Sequence, residues 1–245
     1  MNMLNYKNLK KNYDNKGYVV VKNFLNSNKV IEIKNDLINF ALKNANKFKK
    51  GEINFTPSKQ INSLHNLKDW EWGKKLQKNK ELKKICRILI DEKIEEFGAE
   101  LFSKHAKTGL PAPVHQDNYY WCVDGSNALT VWIALENSGK KNGGIFYYEG
   151  SHKLGILEHK PSFAPGSSQT VKYMEGMKYF KKNLPELKAG DCIIHHSCSV
   201  HGSGPNKSKF SRTGLTIRYK SALSKIDLDR KKSYLKSLKN QLDLR

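Results

Sequence analysis

The chain has 245 residues, 38% of them hydrophobic, enough for one substantial core, and no linker-like low-complexity stretch or internal repeat divides it. One domain over 1–245 is therefore expected: a helical flank over 1–93, a β core over 94–222 and a closing helix over 225–245. The net charge of +21 would suit an anionic polymer, but the lysines are scattered and no arginine–aromatic stripe or recognition motif accompanies them, so no specific nucleic-acid partner is expected.

In chain order, helical spacing covers 5 to 16 and 27 to 48. The second helix presents Val30, Ile31, Ile33, Leu37, Ile38, Ala41 and Leu42 behind a Ser27 or Asn28 cap. Leu82, Ile85, Cys86, Leu89 and Ile90 mark a further helix. From about residue 94 short strands bounded by turns dominate, the pattern of a barrel or sandwich rather than of βαβ units. The run 107–113 reads as a loop leading into a strand at His115, which Asn118 to Val123 continue with strand-favouring residues. Gly190-Asp191 predicts a turn, Cys192 to His196 a buried strand, and Gly202 to Asn206 the turn that ends the next segment. Two long connections, 51–70 and 156–186, are the expected roof of any pocket, with Pro161, Pro165, Gly166 and Gly176 breaking regular structure in the second. The last segment, 225–242, returns to helix with Ile226, Leu235, Leu238 and Leu242. It is expected to pack on the sheet, with a contact in a homodimer as a competing use.

No apolar run of signal-peptide type opens the chain, and nothing approaches the length of a membrane span. Cys86, Cys122, Cys192 and Cys198 show no Cys-x-x-Cys spacing and read as reduced thiols, so a cytoplasmic location with no membrane partner is expected.

Chemistry concentrates in His115-Gln116-Asp117 and in His201, 84 residues after Asp117. On a strand, alternate residues share a face, so His115 and Asp117 can turn toward one ion while Gln116 points away. A histidine from a neighbouring strand would complete two imidazoles and a carboxylate, the facial triad of non-haem Fe(II) sites. Either histidine alone is equally well an ordinary polar residue; the set with Arg212 is what carries the reading. Arginine is used sparingly, at positions 87, 212, 218, 230 and 245 only. A strand over 212–219 puts Arg212, Gly214, Thr216 and Arg218 on one face, and a planar fork there can grip a carboxylate with two bonds. Of the pair His195-His196, one must face away, and packing or hydrogen bonding is expected of both rather than ligation.

These residues, with Leu129 to Leu135, Asn142-Gly143-Gly144, Gly150-Ser151-His152 and His201 to Asn206, resemble the phytanoyl-CoA dioxygenase family of Fe(II)/2-oxoglutarate-dependent oxygenases. The resemblance runs from about 13 to 222 and includes Gly17 to Val21 ahead of a helix. It implies a double-stranded β-helix, a cupin-like jelly roll, flanked by N- and C-terminal helices. It also implies Fe(II) held by His115, Asp117 and His201, and 2-oxoglutarate held by Arg212 with Ser203, Trp132 and Lys104. Glu149 replaces the usual proline of the Pro-Gly-Ser-His motif, which touches loop geometry rather than ligation. Asp117 itself argues for oxygen insertion, because halogenating relatives need a small residue there.

The activity so implied is hydroxylation of a small polar or anionic metabolite, with O2 consumed and 2-oxoglutarate decarboxylated to succinate and CO2. No serine or cysteine constellation offers a competing nucleophile. By adjacency and strand parity Asn118, Tyr120 and Arg218 are the candidates for substrate contact, an acidic group suiting Arg218. A basic, non-catalytic binding protein on the same barrel, with a vestigial metal site, is the alternative from another class.

Overall fold

The computed structural model describes residues 5–49, 51–56, 58–67, 70–164 and 166–244. Residues 1–4 of the opening segment and Pro165 of the second roof connection lie outside the described residues.

Helix α1 (Tyr6–Lys16) is capped by the Asn5 side chain and stopped by Gly17 at φ 80°, a left-handed turn that glycine adopts without strain. The chain then enters β1 (Tyr18–Val21) and α2 (Ser27–Lys43). The α2 cap is Asn26, whose side chain accepts from the Lys29 N–H, one residue before Ser27 and two before Asn28. Only Val30, Ile33, Leu37 and Ala41 of its apolar residues are buried, a single stripe at helical spacing; Ile31, Ile38 and Leu42 fall off it and stay exposed.

Strands β2 (Ile53–Phe55) and β3 (Ile61–Leu64) precede helices α3 (Glu71–Gln77) and α4 (Lys80–Ile90). Then come β4 (Ile94–Lys104), β5 (Ala112–His115), the short helix α5 (Asp117–Trp121), β6 (Ala128–Ala134) and β7 (Ile145–Tyr148). The chain finishes with β8 (His159–Ala164), β9 (Ser167–Val171), β10 (Lys182–Asn183), β11 (Cys192–His196), β12 (His201–Ser203), β13 (Arg212–Ser221) and α6 (Leu228–Asp243).

Seven strands form a large sheet in the order β1-β11-β6-β13-β4-β3-β2, four form a small sheet β10-β7-β12-β5, and β8-β9 is a separate hairpin; the pairings are antiparallel. This is the jelly roll, with helices on its flank. The expected helical flank over 1–93 thus also supplies three strands to the large sheet, because the β-branched run of β1 alternates and pairs with β11. Val19 and Val21 of β1 point out of the roll and Tyr18 and Val20 into it.

The same alternation separates core from site. Leu215, Ile217 and Tyr219 of β13, with Leu129, Val131 and Ile133 of β6, face outward onto α2 and α4 and form the main apolar core. The residues between them line the interior, where polar groups dominate. Because the helices cover the outer face, the interior need not be apolar to hold the fold together.

Two expectations give way to tertiary contacts. Residues 118–123 do not continue a strand: Asp117 to Trp121 coil into α5, where Tyr119 stacks on His159 at 4.1 Å and Trp121 meets Phe97 edge-on at 5.0 Å. Packing of the aromatic rings overrides their strand preference. Likewise 156–186 is not a structureless connection, since Pro161 sits inside the β8-β9 hairpin. Helix α6 packs mainly on that hairpin and on α5, where it was expected to pack on the sheet. No helix among the described residues is long and apolar enough to cross a membrane.

Candidate active site

Strands β5 and β12 pair so that His115 stands directly opposite His201, and their rings lie 4.3 Å apart by centroid. His115 Nδ1 lies 2.7 Å from the Pro113 carbonyl and His201 Nδ1 2.9 Å from the Ser199 carbonyl. A carbonyl only accepts, so each Nδ1 donates and each Nε2 keeps a free lone pair. Both Nε2 atoms converge on Asp117 Oδ1, at 3.5 and 3.6 Å, and one ligand atom from each of the three residues falls within 4.8 Å of the others. Strand alternation is not what turns Asp117 inward. The chain breaks at Gln116, whose amide donates to the carbonyls of Gly155 and Cys198 and accepts from the Leu157 N–H, and Asp117 opens α5.

The other carboxylate oxygen is held separately. Asp117 Oδ2 accepts from Thr130 Oγ1 at 2.5 Å and from His195 Nε2 at 2.9 Å, and His195 Nδ1 lies 3.0 Å from the Tyr147 hydroxyl. Tyr147 in turn stacks on His201 at 5.6 Å. Burial would raise the Asp117 carboxyl, but His201, His115 and His195 hold it well below the usual carboxylate range. Burial pushes His201 down to about 3, with His115 adding to it. The His201 imidazole and the Asp117 carboxylate are therefore presented in the protonation states a cation needs. Thr130, Tyr147 and His195 are absent from the sequence-based site. Of these, His195 does bond rather than ligate, while His196 faces outward beside His152.

A second group lies at the end of the interior where β13 begins. Arg212 is 3% exposed, its Nε and Nη2 donate to the Gly143 carbonyl, and its guanidinium sits 5.1 Å over the Trp132 ring. No carboxylate pairs with it among the described residues, and burial lowers it to about 10. Trp132 can lie there because β13 carries a glycine diagonally across: a Cβ on Gly214 would come within 1.9 Å of the ring. Lys104, paired in register with Arg212, donates to the carbonyls of Leu110 and Gly204, and burial together with Arg212 brings it down to about 7. Ser203 is buried on β12, two residues beyond His201 in the strand.

The three candidate substrate residues separate. Asn118 is wholly buried, its amide donating to the Val123 carbonyl and Ser126 Oγ and accepting from the Val123 N–H, so it closes its own loop rather than reaching the interior. Tyr120 lies against His115, with ring centroids 5.5 Å apart, and its hydroxyl bonds Gln169 of the hairpin. Arg218 faces the interior directly opposite Thr130 and lies 3.6 Å from Glu100. Burial would raise the Glu100 carboxyl, but Arg218 and His65 bring it down to about 2.

Over this end lies the roof. Gly166 at the hairpin tip is close to Ser63 and His65 of the opposite wall. Tyr234 of α6 meets Tyr120 edge-on at 5.5 Å. Polar bonds hold α6 down: Lys231 Nζ to the Tyr120 carbonyl, Gln169 Nε2 to Ser237 Oγ and the Phe163 N–H to Gln241 Oε1.

The donor set of two imidazoles and a carboxylate, with the remaining coordination positions open, fits ferrous iron. A buried guanidinium lacking a carboxylate fits the distal end of a 2-oxo diacid. Fold and site together supply the donor set of a mononuclear non-haem iron centre. Residues 13–214 match the family described as phytanoyl-CoA dioxygenase (PhyH), and the chain belongs to that family.

It is similar to the probable alpha-ketoglutarate-dependent hypophosphite dioxygenase of Stutzerimonas stutzeri, 27% identical over 151 residues, 60% of this chain and 52% of that protein. It is also similar to the peroxisomal phytanoyl-CoA dioxygenase of Homo sapiens, 23% identical over 235 residues, 87% of this chain and 68% of that one. The chain thus spans about half the length of the first relative and about two thirds of the second. Among solved structures, EctD from S. alaskensis with 2-oxoglutarate and 5-hydroxyectoine matches with a TM-score of 0.74 at 20% identity, over 89% of this chain and 77% of that one. The carbocyclase SnoK from nogalamycin biosynthesis gives 0.73 at 21% identity, over 90% and 85%. These likenesses show the fold.

Proposed function

We propose that the chain hydroxylates a small polar or anionic metabolite, consuming O2 and decarboxylating 2-oxoglutarate to succinate and CO2. The observation that carries this reading is the convergence of His115 Nε2, His201 Nε2 and Asp117 Oδ1 beside a buried, carboxylate-free Arg212. Ferrous iron, when bound, would supply the activation of dioxygen that the 2-oxoacid drives. His115, Asp117 and His201 hold the ion, while Thr130 and His195 fix the orientation of the aspartate. Arg212 grips the distal carboxylate, Trp132 supports its guanidinium, Ser203 adds a hydroxyl, and Lys104 contributes charge beside it. The hairpin and α6 exclude bulk water from the reacting end.

A non-catalytic binding protein would gain nothing from burying a guanidinium without a carboxylate partner, which costs free energy unless an anion completes it. Four free, buried cysteines support a reducing, cytoplasmic setting. The test is anaerobic loading with Fe(II) and 2-oxoglutarate followed by exposure to oxygen. Succinate should form, and its rate should rise when the right metabolite is present. A protein that takes up neither Fe(II) nor 2-oxoglutarate is not this enzyme.

A further inference from the structure

The Arg218 guanidinium has no hydrogen-bond partner among the described residues, although its side chain is only 16% exposed and its Nε is fully buried. The Nε–H is thereby shut away from water without an acceptor, which costs free energy, while the two Nη groups keep their donors free for a ligand. Glu100, the nearest carboxylate, is 3.6 Å away, beyond hydrogen-bond reach, although an ion pair made for its own sake closes to about 2.8 Å and commonly becomes bidentate. Glu100 itself accepts one side-chain bond, from His65 Nδ1 to Oε1, so it keeps acceptor capacity.

The fold maintains this open pair deliberately. A Cβ on Gly98, opposite Arg218 in β4, would lie 2.1 Å from Nη2, so the guanidinium rests where only glycine leaves room. The rings of Phe97 and Trp121 stand 5.3 and 5.6 Å from it, fixing its plane without using its donors. Its place in the site follows from register: Arg218 is the direct partner of Thr130, whose hydroxyl bonds the proposed ligand Asp117. Glu100 is the partner of Thr216, two residues along the same face. Tyr120, whose ring lies 5.5 Å from that of His115, meets Tyr234 of α6 edge-on at 5.5 Å.

We infer that Arg218 and Glu100 are the substrate-recognition pair, and that the substrate is a small zwitterion whose carboxylate and ammonium lie one or two carbons apart, as in an α-amino acid. This rests on the oxygenase reading above and sharpens it. An anion alone would satisfy Arg218 but leave its negative charge beside Glu100, and a cation alone would do the reverse. Adjacent opposite groups on one small molecule satisfy both partners and keep the pair neutral.

The test uses the full chain loaded anaerobically with Fe(II) and N-oxalylglycine, titrated by calorimetry with matched triplets: each proteinogenic amino acid, its N-acetyl derivative and its amide. At least one free amino acid should bind about tenfold or more tightly than both of its singly charged counterparts. Gly98→Ala, which displaces the flexible end of Arg218 rather than backbone, should abolish that preference, and Glu100→Gln should raise the N-acetyl compound relative to the free amino acid. N-acetyl derivatives binding as well as free amino acids, or amides doing so, would overturn the inference. So would failure of every triplet to bind while succinate still forms from 2-oxoglutarate, an outcome that leaves the oxygenase reading standing. Absence of both metal uptake and succinate would instead remove that reading and this inference with it.

Discussion

His195 Nε2 lies 2.9 Å from Asp117 Oδ2, the carboxylate oxygen that faces away from the two ligand imidazoles. A carboxylate cannot donate, so the histidine does, and Oδ1 is left as the oxygen aimed at the space between His115 and His201. Replacing His195 with alanine should therefore weaken metal binding by about 10- to 100-fold, the range typical of lost outer-shell partners. Anaerobic titration with Fe(II) or Co(II) measures this, and an affinity equal to wild type would show that Thr130 alone suffices.

Arg212→Lys keeps the positive charge but removes the planar fork. The dissociation constant for 2-oxoglutarate should rise about 10- to 100-fold, corresponding to about 1.5–3 kcal/mol for a charged hydrogen-bond pair. Metal affinity in the absence of the oxoacid should be unaffected, because Arg212 bonds only the Gly143 carbonyl and does not touch the triad. Calorimetry with each ligand in turn separates the two effects.

Gly214→Ala would force the Trp132 ring out from beneath Arg212, since the new Cβ would lie within 1.9 Å of it. Overpacking of this kind costs about 1–3 kcal/mol, visible as a lower denaturation midpoint. Because the displaced ring supports the guanidinium, 2-oxoglutarate affinity should fall further than metal affinity does. An equal loss of both would mean the strain spreads through the barrel instead.

Lys104 makes stability depend on pH in a defined direction. Burial, with Arg212 adding to it, lowers this lysine to about 7 in the folded protein, whereas an unfolded lysine titrates near 10.4. Between those values the unfolded chain binds the extra proton, so stability should rise with pH across the window from about 7 to about 10. Below it both states are protonated and the contribution is flat. Chemical denaturation of the protein without oxoacid, compared with Lys104→Met, tests this; a variant retaining the full slope would assign it elsewhere.

Much of the site was legible because its members are rare residue types in short motifs. His115, Asp117 and His201 could be picked out and do come together, and the parity of 212–219 put Arg212 and Arg218 on the inner face and Leu215, Ile217 and Tyr219 on the outer one. Thr130, Tyr147, His65 and Glu100 were missed, and His195 was expected to bond or pack, as it does, without Asp117 being named as its partner. Each is a common residue on a strand or at a strand end, and nothing local distinguishes a threonine that bonds a ligand from one that merely faces inward. Parity could have found Thr130, which shares a face with Trp132 two residues on. Asn118 was singled out by adjacency alone, and the structure uses it to staple a turn.

What the sequence determined by itself is the chemistry of the donors and the alternation that sorts them from the core, because both depend on residue type and on periods of two or 3.6 residues. Only the tertiary structure decided how Asp117 turns inward, which carboxylate stands near Arg218, and that α6 bonds to the β8-β9 hairpin of the expected roof. Those outcomes depend on strand register and on packing between segments far apart in the chain. No local sequence pattern encodes such distances.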